Sequence, residues 1–495
     1  MLRRSKLLQS PFFIFLFPVF FVLHGFTANY DSVPIGDALL LTIEYVGIIL
    51  VITFIFWFFY RDVTRACLMA FLIMTFHFFF GNVMDLIKNN FPHSFILRYR
   101  FIIPASFISF ALVFIWLKRN KRTIVHLVFY LNILLLLLLL VDTGSLIKKI
   151  PVVSKAKVFH PAAEGFTICD SCSKPDIFFI IPDQYAGHNE LKDVFHFDNS
   201  AFENELKARG FHIAARSSSN YNFTPFSVAS TLNINLLSLK KGHQTYSTVH
   251  YSYEVMRNSL VLKFLAASGY QFYNCSIFDF DDQPAHKYSA FLPYGINLVT
   301  AQTFTTRAAD DFRQDILDGK LGLKKLHEKF AYENLHFNDD IIDLTSKISS
   351  VKTNTPKFVY THLMLPHYPY YFDSKGNPLP IEKLGSLARV TTQDYIEYLQ
   401  YSNRKILQLV DHVLSSSPSP PIVIVLSDHG FQHPGKNVDR AYDFINLNAV
   451  YFPNKNYSLF YDSITNCNEF RVIFNTYFNQ HLPLLKDSTT DLRGD

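Results

Sequence analysis

The first third of the sequence has few charged residues, and this shortage argues against a soluble domain there. The 51 phenylalanines of the 495-residue chain are concentrated in the same region. The net charge is only +5, and no stripe of basic and aromatic residues is present, which argues against nucleic-acid binding. Basic residues stand instead in short groups at the ends of apolar runs, a pattern typical of membrane topology. Length and composition together predict a membrane part joined to a soluble part.

Five apolar runs predict five membrane-spanning helices. Each run is close to the ~20 residues that a bilayer requires. A buried helix of a soluble protein is the alternative for any single run, but five nearly consecutive runs favour spans. The first run has no small-residue cleavage site, so we expect a retained anchor and not a signal peptide. The runs are residues 11–28, 38–60, 66–87, 101–118 and 123–142.

The basic residues predict the orientation of these spans. They precede the first span and lie between the second and third and between the fourth and fifth, so the positive-inside rule places these segments in the cytoplasm. Arg98 and Arg100 lie on the predicted outer side and weaken the asymmetry slightly. Five spans place the rest of the chain outside the cytoplasm. The predicted parts are an anchor, 1–145, a connector, 146–174, an extracytoplasmic catalytic domain, 175–485, and a polar tail, 486–495, expected to be disordered.

Four cysteines belong to the soluble part: Cys169, Cys172, Cys275 and Cys467. In an exported domain they could form two disulfides, with three possible connectivities. The "CDSC" sequence could also be a metal or redox pair, but it has no matching second pair. A disulfide or free thiols are therefore the favoured interpretations.

The soluble part alternates short apolar runs with helix-like segments, which predicts an α/β domain with a mainly parallel sheet. "SLVLKFLAASGYQFYNCSIF" is typical of a helix, a glycine stop and a strand, and "QDYIEYLQYSNRKILQLVDHVLSSS" is typical of a long amphipathic helix. The run from Leu447 to Phe452 predicts a further strand, which we expect to complete the sheet.

Three predicted strands end in acidic or imidazole side chains. "PDIFFIIPDQY" ends at Asp183, "KFVYTHLMLPHYPY" supplies His362 and His367, and "PIVIVLSDHG" supplies Asp428 and His429. Ligands bind beyond the carboxyl ends of strands in open α/β sheets, so these side chains are expected to converge. Carboxylate and neutral imidazole are ligands for zinc or manganese. Taken singly, each residue could instead be a turn former, a helix cap or a packed side chain.

The segment "SNYNFTPFSVASTLN" contains a candidate nucleophile. Pro225 suits the first position of a helix, and Thr224 suits the N-cap before it. A hydroxyl there lies at the positive end of the helix dipole, where phosphate is favoured. Thr224 could attack phosphorus and hold a covalent intermediate. The alternatives are that Thr224 is only a cap, or that Ser227 or Ser230 carries the reactive hydroxyl.

These segments, "PDIFFIIPDQY", "TPFSVAS", "LPHYPY" and "LSDHG", resemble the alkaline phosphatase/sulfatase superfamily. Their order and the five-span anchor resemble lipoteichoic acid synthases and lipid A phosphoethanolamine transferases over nearly the whole chain. The resemblance implies an alkaline phosphatase-like catalytic domain. It implies Asp183, Thr224, Asp428 and His429 as metal ligands, Thr224 as nucleophile, and His367 in contact with the substrate phosphate or leaving group.

The sequence departs from parts of this pattern. "TPFSVAS" lacks the Cys and Arg of the formylglycine motif, which argues against sulfate ester hydrolysis by that route. The first acidic ligand, often Glu in lipoteichoic acid synthases, is Asp183 here. His433 and Asp439 could bind a second metal, but "FQHPGKNVDR" is equally typical of a surface loop. We expect one divalent ion, zinc or manganese, with calcium or magnesium as alternatives.

The predicted function is transfer of a phospho-alcohol head group from a phospholipid donor to an envelope glycan or lipid acceptor. His367 or His362 could serve as general acid or base. The predicted location is the bacterial inner membrane, with several spans and the catalytic domain on the periplasmic side. The alternative enzyme is a sulfatase-like hydrolase of phosphate or sulfate esters with water as acceptor. A domain that only senses or scaffolds at the envelope is the alternative without catalysis.

Overall fold

The structure is a computed structural model, and it describes residues 9–30, 33–91, 94–120, 124–154, 161–239, 246–280, 283–285, 295–385, 389–433 and 438–492. The chain forms two compact units. The first contains Met1–Val158 and Ala290–Arg313, and the second contains Phe159–Ser289 and Gln314–Asp495. The sequence patterns do not indicate that Ala290–Arg313 belongs to the first unit.

The first unit is built from apolar helices. They are α1 Phe13–Ala28, α2 Ile35–Tyr60, α3 Val63–Asn90, α4 Tyr99–Arg119 and α5 Val125–Ser154, with a 3₁₀ turn at Phe95–Leu97. In the described part of the chain, four helices are long and apolar enough to cross a membrane: Ile35–Tyr60, Val63–Asn90, Tyr99–Arg119 and Val125–Lys149. The helix α1 is apolar but has 16 residues and contains Pro18. At 1.5 Å per residue it is ~24 Å long, so the first predicted span is the shortest.

Aromatic rings pack the interior of this unit. Phe21 of α1 stacks on Phe78 of α3 with 3.9 Å between ring centroids. Gln302, from the later segment Ala290–Arg313 of this unit, also contacts α3. The backbone N–H of Gly81 donates to its carbonyl at 2.8 Å. A Cβ atom at position 81 would lie 2.9 Å from the Gln302 backbone, so this close approach requires glycine.

The remaining helices are mostly amphipathic, and all but one have 14 residues or fewer. In chain order they are α6 His188–Asp193, α7 Ser200–Ala208, α8 Thr224–Leu232, α9 Tyr246–Arg257, α10 Leu260–Ala267, α11 Asn297–Thr300 (in the first unit), α12 Phe304–Leu317, α13 Lys324–Ala331, α14 Phe337–Ser350, α15 Ile381–Leu384, α16 Thr392–Ser416 and α17 Asn466–Tyr477, with 3₁₀ turns at Pro161–Glu164 and Arg440–Phe444. The predicted long helix is α16, and Thr391 and Asp394 form a capping box at its start.

A six-stranded sheet organises the second unit. Its strands are β1 Ile177–Pro182, β2 His212–Ile213, β3 Gln271–Cys275, β4 Lys357–Leu363, β5 Ile422–Leu426 and β6 Asn448–Tyr451. Their order across the sheet is β2-β6-β5-β1-β4-β3. The strands β3, β4, β1 and β5 are parallel, and β6 is antiparallel to both β5 and β2. The mainly parallel α/β sheet predicted from the sequence is therefore confirmed, and β6 is the predicted last strand.

Helices cover both faces of the central strands. On one face, Phe470 of α17 packs edge-on against Phe179 of β1 at 5.1 Å between centroids. On the other face, the hydroxyls of Thr345 on α14 and Thr361 on β4 are 2.9 Å apart. All residues of β1, β4 and β5 are buried. Burial on both faces explains why β1 and β5 are continuous apolar runs.

The cysteines and the tail differ from part of the predictions. Cys169 and Cys172 form a disulfide, whereas Cys275 and Cys467 are free and buried, so a second disulfide is absent. The expectation of a disordered tail is wrong for its described part. Leu492 is only 3% exposed. Polar groups of the tail form hydrogen bonds with Asn220 and Asn222.

Candidate active site

Three neighbouring strands carry acidic and imidazole side chains to one edge of the sheet. Asp183 follows β1, His362 is the last but one residue of β4, and Asp428 comes two residues after β5. Because β1 lies between β4 and β5 and is parallel to both, the three side chains reach the same end of the sheet. One potential ligand atom from each residue lies within 4.8 Å of the others.

His362 holds Asp183 in place. Nε2 of His362 lies 3.1 Å from Oδ2 of Asp183, and both side chains are buried. The hydroxyl of Tyr360 lies 3.0 Å from Nδ1 of the same ring. Tyr360 and His362 are two residues apart on β4 and therefore share a face of the sheet. When Nε2–H donates to the carboxylate, Nδ1 of the neutral ring accepts from Tyr360.

Asp183 is ionised despite its burial. Burial alone would raise the pKa of its carboxyl group. The proximity of three imidazoles and a hydrogen bond from one of them outweigh burial and lower the pKa below its usual value. These imidazoles belong to His367, His362 and His429. A buried carboxylate kept ionised by its surroundings is suited to a cation.

The turn after β1 is fixed by hydrogen bonds to a neighbouring helix. The backbone N–H of Gln184 donates to Oδ1 of Asp428 at 3.0 Å. Gln184 has a φ of 59°, a left-handed conformation that is unfavourable for a residue with a Cβ atom. The Tyr395 hydroxyl donates to the Gln184 carbonyl at 3.1 Å and accepts from Ala186 N–H at 3.0 Å. This strained turn therefore links Asp183 to Asp428.

Two buried carboxylate oxygens of this cluster have no hydrogen-bond partner among the described residues: Oδ1 of Asp183 and Oδ2 of Asp428. An unsatisfied buried polar atom costs about 1–3 kcal/mol, and a charged one costs more. A divalent cation held by both oxygens would remove this cost. Two carboxylates and nearby imidazoles also form a donor set that zinc and manganese accept. The residues therefore fit one divalent cation.

Thr224 stands at the start of α8. The helix begins at Thr224 itself, Phe223 occupies the capping position, and Pro225 lies in the first turn. The predicted N-cap position of Thr224 is thus wrong by one residue. Oγ1 of Thr224 lies 3.3 Å from Nε2 of His429. The dipole of the helix favours negative charge at this end.

The tautomer of His429 follows from its contacts. Nδ1 lies 2.7 Å from the carbonyl oxygen of Gly430, and a carbonyl can only accept, so Nδ1 carries the proton. Nε2 of the neutral ring is then an acceptor or a ligand atom. It lies 3.4 Å from Oδ2 of Asp428 as well as next to Thr224. His429 therefore joins the nucleophile candidate to the carboxylate cluster.

Gly430 is required here because other backbone atoms approach it closely. A Cβ atom at this position would lie 2.5 Å from the carbonyl oxygens of both Ile445 and Tyr442. The N–H of Gly430 also donates to the carbonyl of Asp443 at 3.0 Å. This glycine therefore permits tight backbone packing behind His429.

The rival hydroxyls of α8 are used in hydrogen bonds to the backbone. Ser227 donates to the carbonyl of Asp428, and Ser230 donates to the carbonyl of Ser227 at 2.9 Å. Both serines are fully buried. Among these three hydroxyls, Thr224 is therefore the one that contacts an imidazole of the site.

His367 lies beyond β4 between two cis peptide bonds, Leu365–Pro366 and Tyr368–Pro369. Its Nδ1 donates to the carbonyl of Tyr368, which leaves Nε2 as the unprotonated nitrogen of the neutral ring. His367 is half-buried, whereas His362 has no exposed surface. Of the two histidines, His367 is therefore the one that a substrate can reach.

The two residues considered as ligands of a second metal, His433 and Asp439, make other contacts. Nε2 of His433 lies 2.8 Å from Oε1 of the buried Glu190, and Asp439 caps a 3₁₀ turn by accepting from Ala441 N–H at 3.0 Å. Within the described ranges, the only group of three His, Cys, Asp or Glu residues with metal-like spacing is Asp183, His362 and Asp428.

Two supporting residues escape sequence reasoning. The amide of Asn466 donates to the carbonyls of Ser427 and Asp428 at 3.1 and 3.2 Å and so fixes the turn after β5. No local pattern marks this asparagine. Tyr360 could have been found, because it lies two residues before His362 on a predicted strand and must share its face.

No family model matches the chain, and no curated protein matches it. Solved structures are similar at low sequence identity. The C-terminal periplasmic domain of EptC from Escherichia coli is 10% identical, with a TM-score of 0.39, over 66% of this chain and 91% of that chain. The integral membrane protein lipooligosaccharide phosphoethanolamine transferase A from Neisseria meningitidis is 10% identical, with a TM-score of 0.36, over 94% of this chain and 95% of that chain.

A protein in the alkaline phosphatase superfamily from Vibrio parahaemolyticus is also similar. It is 12% identical, with a TM-score of 0.34, over 61% of this chain and 66% of that chain. The solved structures to which the chain is similar thus include phosphoethanolamine transferases and a member of the alkaline phosphatase superfamily, two of the classes that the sequence segments resemble.

Proposed function

We propose that this chain is a membrane-anchored, metal-dependent phosphotransferase. It moves a phospho-alcohol head group from a phospholipid to an envelope glycan or lipid through a covalent bond to Thr224. The observation that carries this proposal is the Thr224 hydroxyl 3.3 Å from Nε2 of His429, a nitrogen that also lies 3.4 Å from Asp428. Asp428 and Asp183 each have a buried oxygen without a hydrogen-bond partner among the described residues. This combination supports a nucleophile next to a cation site.

Each residue has a defined part in holding the cation. Asp183, Asp428, His429 and Thr224 would be its ligands, and His362 would keep Asp183 oriented, because its Nε2 contacts that carboxylate. When bound, the cation lowers the pKa of the Thr224 hydroxyl and offsets negative charge on the phosphate.

The proposed chemistry has two halves. In the first, Oγ1 of Thr224 loses its proton to water and attacks phosphorus, the bond from phosphorus to the diacylglycerol oxygen breaks, and protonated His367 gives that oxygen a proton. In the second, neutral His367 takes the proton of the acceptor hydroxyl, and the acceptor oxygen attacks phosphorus. The bond from phosphorus to Oγ1 of Thr224 breaks, and Oγ1 takes a proton back from water. His367 suits this exchange because it is half-buried and its Nδ1 is held by the Tyr368 carbonyl.

The four long apolar helices support a lipid donor. A catalytic unit tethered by such helices meets phospholipid head groups at high effective concentration. We place the chain in the bacterial inner membrane with this unit on the periplasmic side, following the distribution of basic residues between the spans. In the alternative reaction, hydrolysis, the first half is the same, and water replaces the acceptor hydroxyl in the second half.

The test uses the full chain in nanodiscs that contain phospholipid with an isotopically labelled head group. We expect the intact mass of the wild type to rise by the mass of the transferred group, with peptide mapping locating it on Thr224. Thr224→Ala should show no added mass, and Ser230→Ala, which removes another hydroxyl of α8, should behave as wild type. Added mass that persists in Thr224→Ala would refute the covalent mechanism.

A second measurement separates transfer from hydrolysis. Labelled head group recovered on extracted glycan or lipid supports transfer. Release of free phospho-alcohol at the same rate with and without the acceptor fraction would show that water is the acceptor.

A further inference from the structure

The C-terminal segment Ser488–Leu492 lies alongside the backbone that leads to Thr224. Thr490 and Tyr221 form a parallel β-bridge. The N–H of Thr490 donates to the carbonyl of Asn220 at 2.8 Å, and the Asn220 amide donates to the carbonyl of Ser488 at 2.8 Å. The tail thus forms a short strand against residues 220–222.

Asn222 connects this tail to the candidate site. Its Nδ2 donates to Oδ1 of Asp491 at 2.8 Å, and its Oδ1 accepts from the N–H of Leu492 at 2.9 Å. Its carbonyl accepts from the Gln432 amide, which belongs to the loop after His429. Asn222 is 3% exposed, so loss of these bonds would leave buried polar atoms unsatisfied.

Asp491 is held in turn by Arg440. One nitrogen of the Arg440 guanidinium lies 3.3 and 3.4 Å from the two carboxylate oxygens of Asp491. The same nitrogen lies 3.6 Å from Oδ2 of Asp443, whose carbonyl accepts from Gly430. The tail therefore contacts the segment before Thr224 directly, and it is linked to Gly430, next to His429, through Arg440 and Asp443.

We propose that Asp491 and Asn222 are positioning residues that hold Thr224 at its distance from His429. This inference rests on the proposed function. Asn222 is separated from Thr224 by one residue, and Gln432 is the third residue after His429. Displacing a reacting group by about 1 Å can slow catalysis about 100-fold. The Asn222–Asp491 bond thus acts on the rate of the chemical step more than on substrate binding.

The test exchanges the two side chains. Asn222→Asp places two carboxylates against each other, Asp491→Asn removes the charge next to Arg440, and the double variant restores one amide–carboxylate bond in the reverse sense. The probe is bis(para-nitrophenyl) phosphate, a chromogenic diester, with full-length protein in nanodiscs. Asp487→Asn is the matched control, since Asp487 lies in the same tail but accepts from Tyr461 and Thr465.

We expect Asn222→Asp to lower kcat about 10- to 100-fold with KM within about twofold, and the double variant to recover to within about threefold of wild type. Asp487→Asn should keep the wild-type kcat. A double variant no better than Asn222→Asp, or an Asp487→Asn variant as slow as Asp491→Asn, would overturn the inference. If Asn222→Asp does not fold, the inference is tested by comparing the kcat of Asp491→Asn with that of Asp487→Asn. Equal values would overturn it.

Wild type and Thr224→Ala are measured in parallel. If Thr224→Ala turns the diester over as fast as wild type, the proposed function is wrong and this inference falls with it. If turnover depends on Thr224 but not on Asn222 or Asp491, only the positioning role is refuted.

Discussion

Oγ1 of Thr224 lies 3.3 Å from Nε2 of His429, although 205 residues separate the two in the sequence. The hydroxyl belongs to the start of α8, and the imidazole follows the central strand β5. The residues that flank each of them in the sequence do not by themselves make either side chain reactive. The pairing gives the hydroxyl an imidazole that is fixed in one tautomer by the Gly430 carbonyl.

Thr224→Ser should keep part of the activity that Thr224→Ala loses. Serine supplies the same oxygen but lacks the methyl group that restricts χ1, so a smaller fraction of molecules will have the hydroxyl near His429. We expect kcat for bis(para-nitrophenyl) phosphate to fall about 3- to 30-fold in Thr224→Ser and at least about 1,000-fold in Thr224→Ala. Equal residual rates in the two variants would contradict a nucleophilic Thr224.

Asp428→Asn should weaken metal binding. The variant keeps an oxygen for the Gln184 N–H but removes a negative charge from the group of Asp183, His362 and Asp428, whose potential ligand atoms lie within 4.8 Å of one another. We expect affinity for zinc or manganese to fall at least about 10-fold, measured by elemental analysis after equilibrium dialysis. Added metal should raise the melting temperature of wild type more than that of the variant. Asp439→Asn, on the exposed 3₁₀ turn, is the control, and equal metal content in all three proteins would refute the site.

Tyr360→Phe should weaken metal binding at the same site, although Tyr360 is not one of the proposed metal ligands. It removes the hydroxyl at 3.0 Å from Nδ1 of His362 and leaves that buried nitrogen without this partner. We expect about 1–3 kcal/mol loss of stability and about 10-fold weaker metal binding. Tyr273→Phe, on the adjacent strand β3, serves as control. Unchanged metal affinity in Tyr360→Phe would show that His362 needs no orienting partner.

Glu469 predicts a pH dependence of stability. Its side chain is fully buried and accepts a hydrogen bond from Asn448 at 2.8 Å. Burial raises its pKa from 4.5 to about 7, and the Asn448 bond only partly opposes this. Because the unfolded chain releases this proton at lower pH than the folded chain, the contribution of Glu469 to stability falls as the pH rises from 4.5 to about 7.

Glu469→Gln should therefore stabilise the protein at pH 8 relative to wild type by about 1–3 kcal/mol, and by less at pH 5. Thermal unfolding at both pH values measures this difference. A stabilisation that is the same at pH 5 and pH 8 would show that the carboxyl group does not titrate between them.

The strands and the residues at their ends are predictable from sequence because their signals are local. A continuous apolar run is typical of a strand buried on both faces, and parallel neighbours end at one edge, so Asp183 and Asp428 follow from β1 and β5. The position of Thr224 follows to within one residue from Pro225.

The rest depends on contacts between distant segments. The tail is ordered by hydrogen bonds such as the one from Asn222 to Asp491. A polar sequence alone does not reveal that such partners exist. The return of Ala290–Arg313 to the first unit is set by backbone contacts such as Gly81 to Gln302. Pairings of this kind leave no periodicity in the chain.

The order of strands in the sheet has a consequence for biogenesis. During synthesis β1 emerges first among the strands, yet its two neighbours, β4 and β5, are made late. An apolar strand with both edges unpaired can associate with other chains. The nascent polypeptide must therefore shield Ile177–Pro182 until Lys357–Leu363 and Ile422–Leu426 arrive, so slow release of the later strands would favour aggregation over folding.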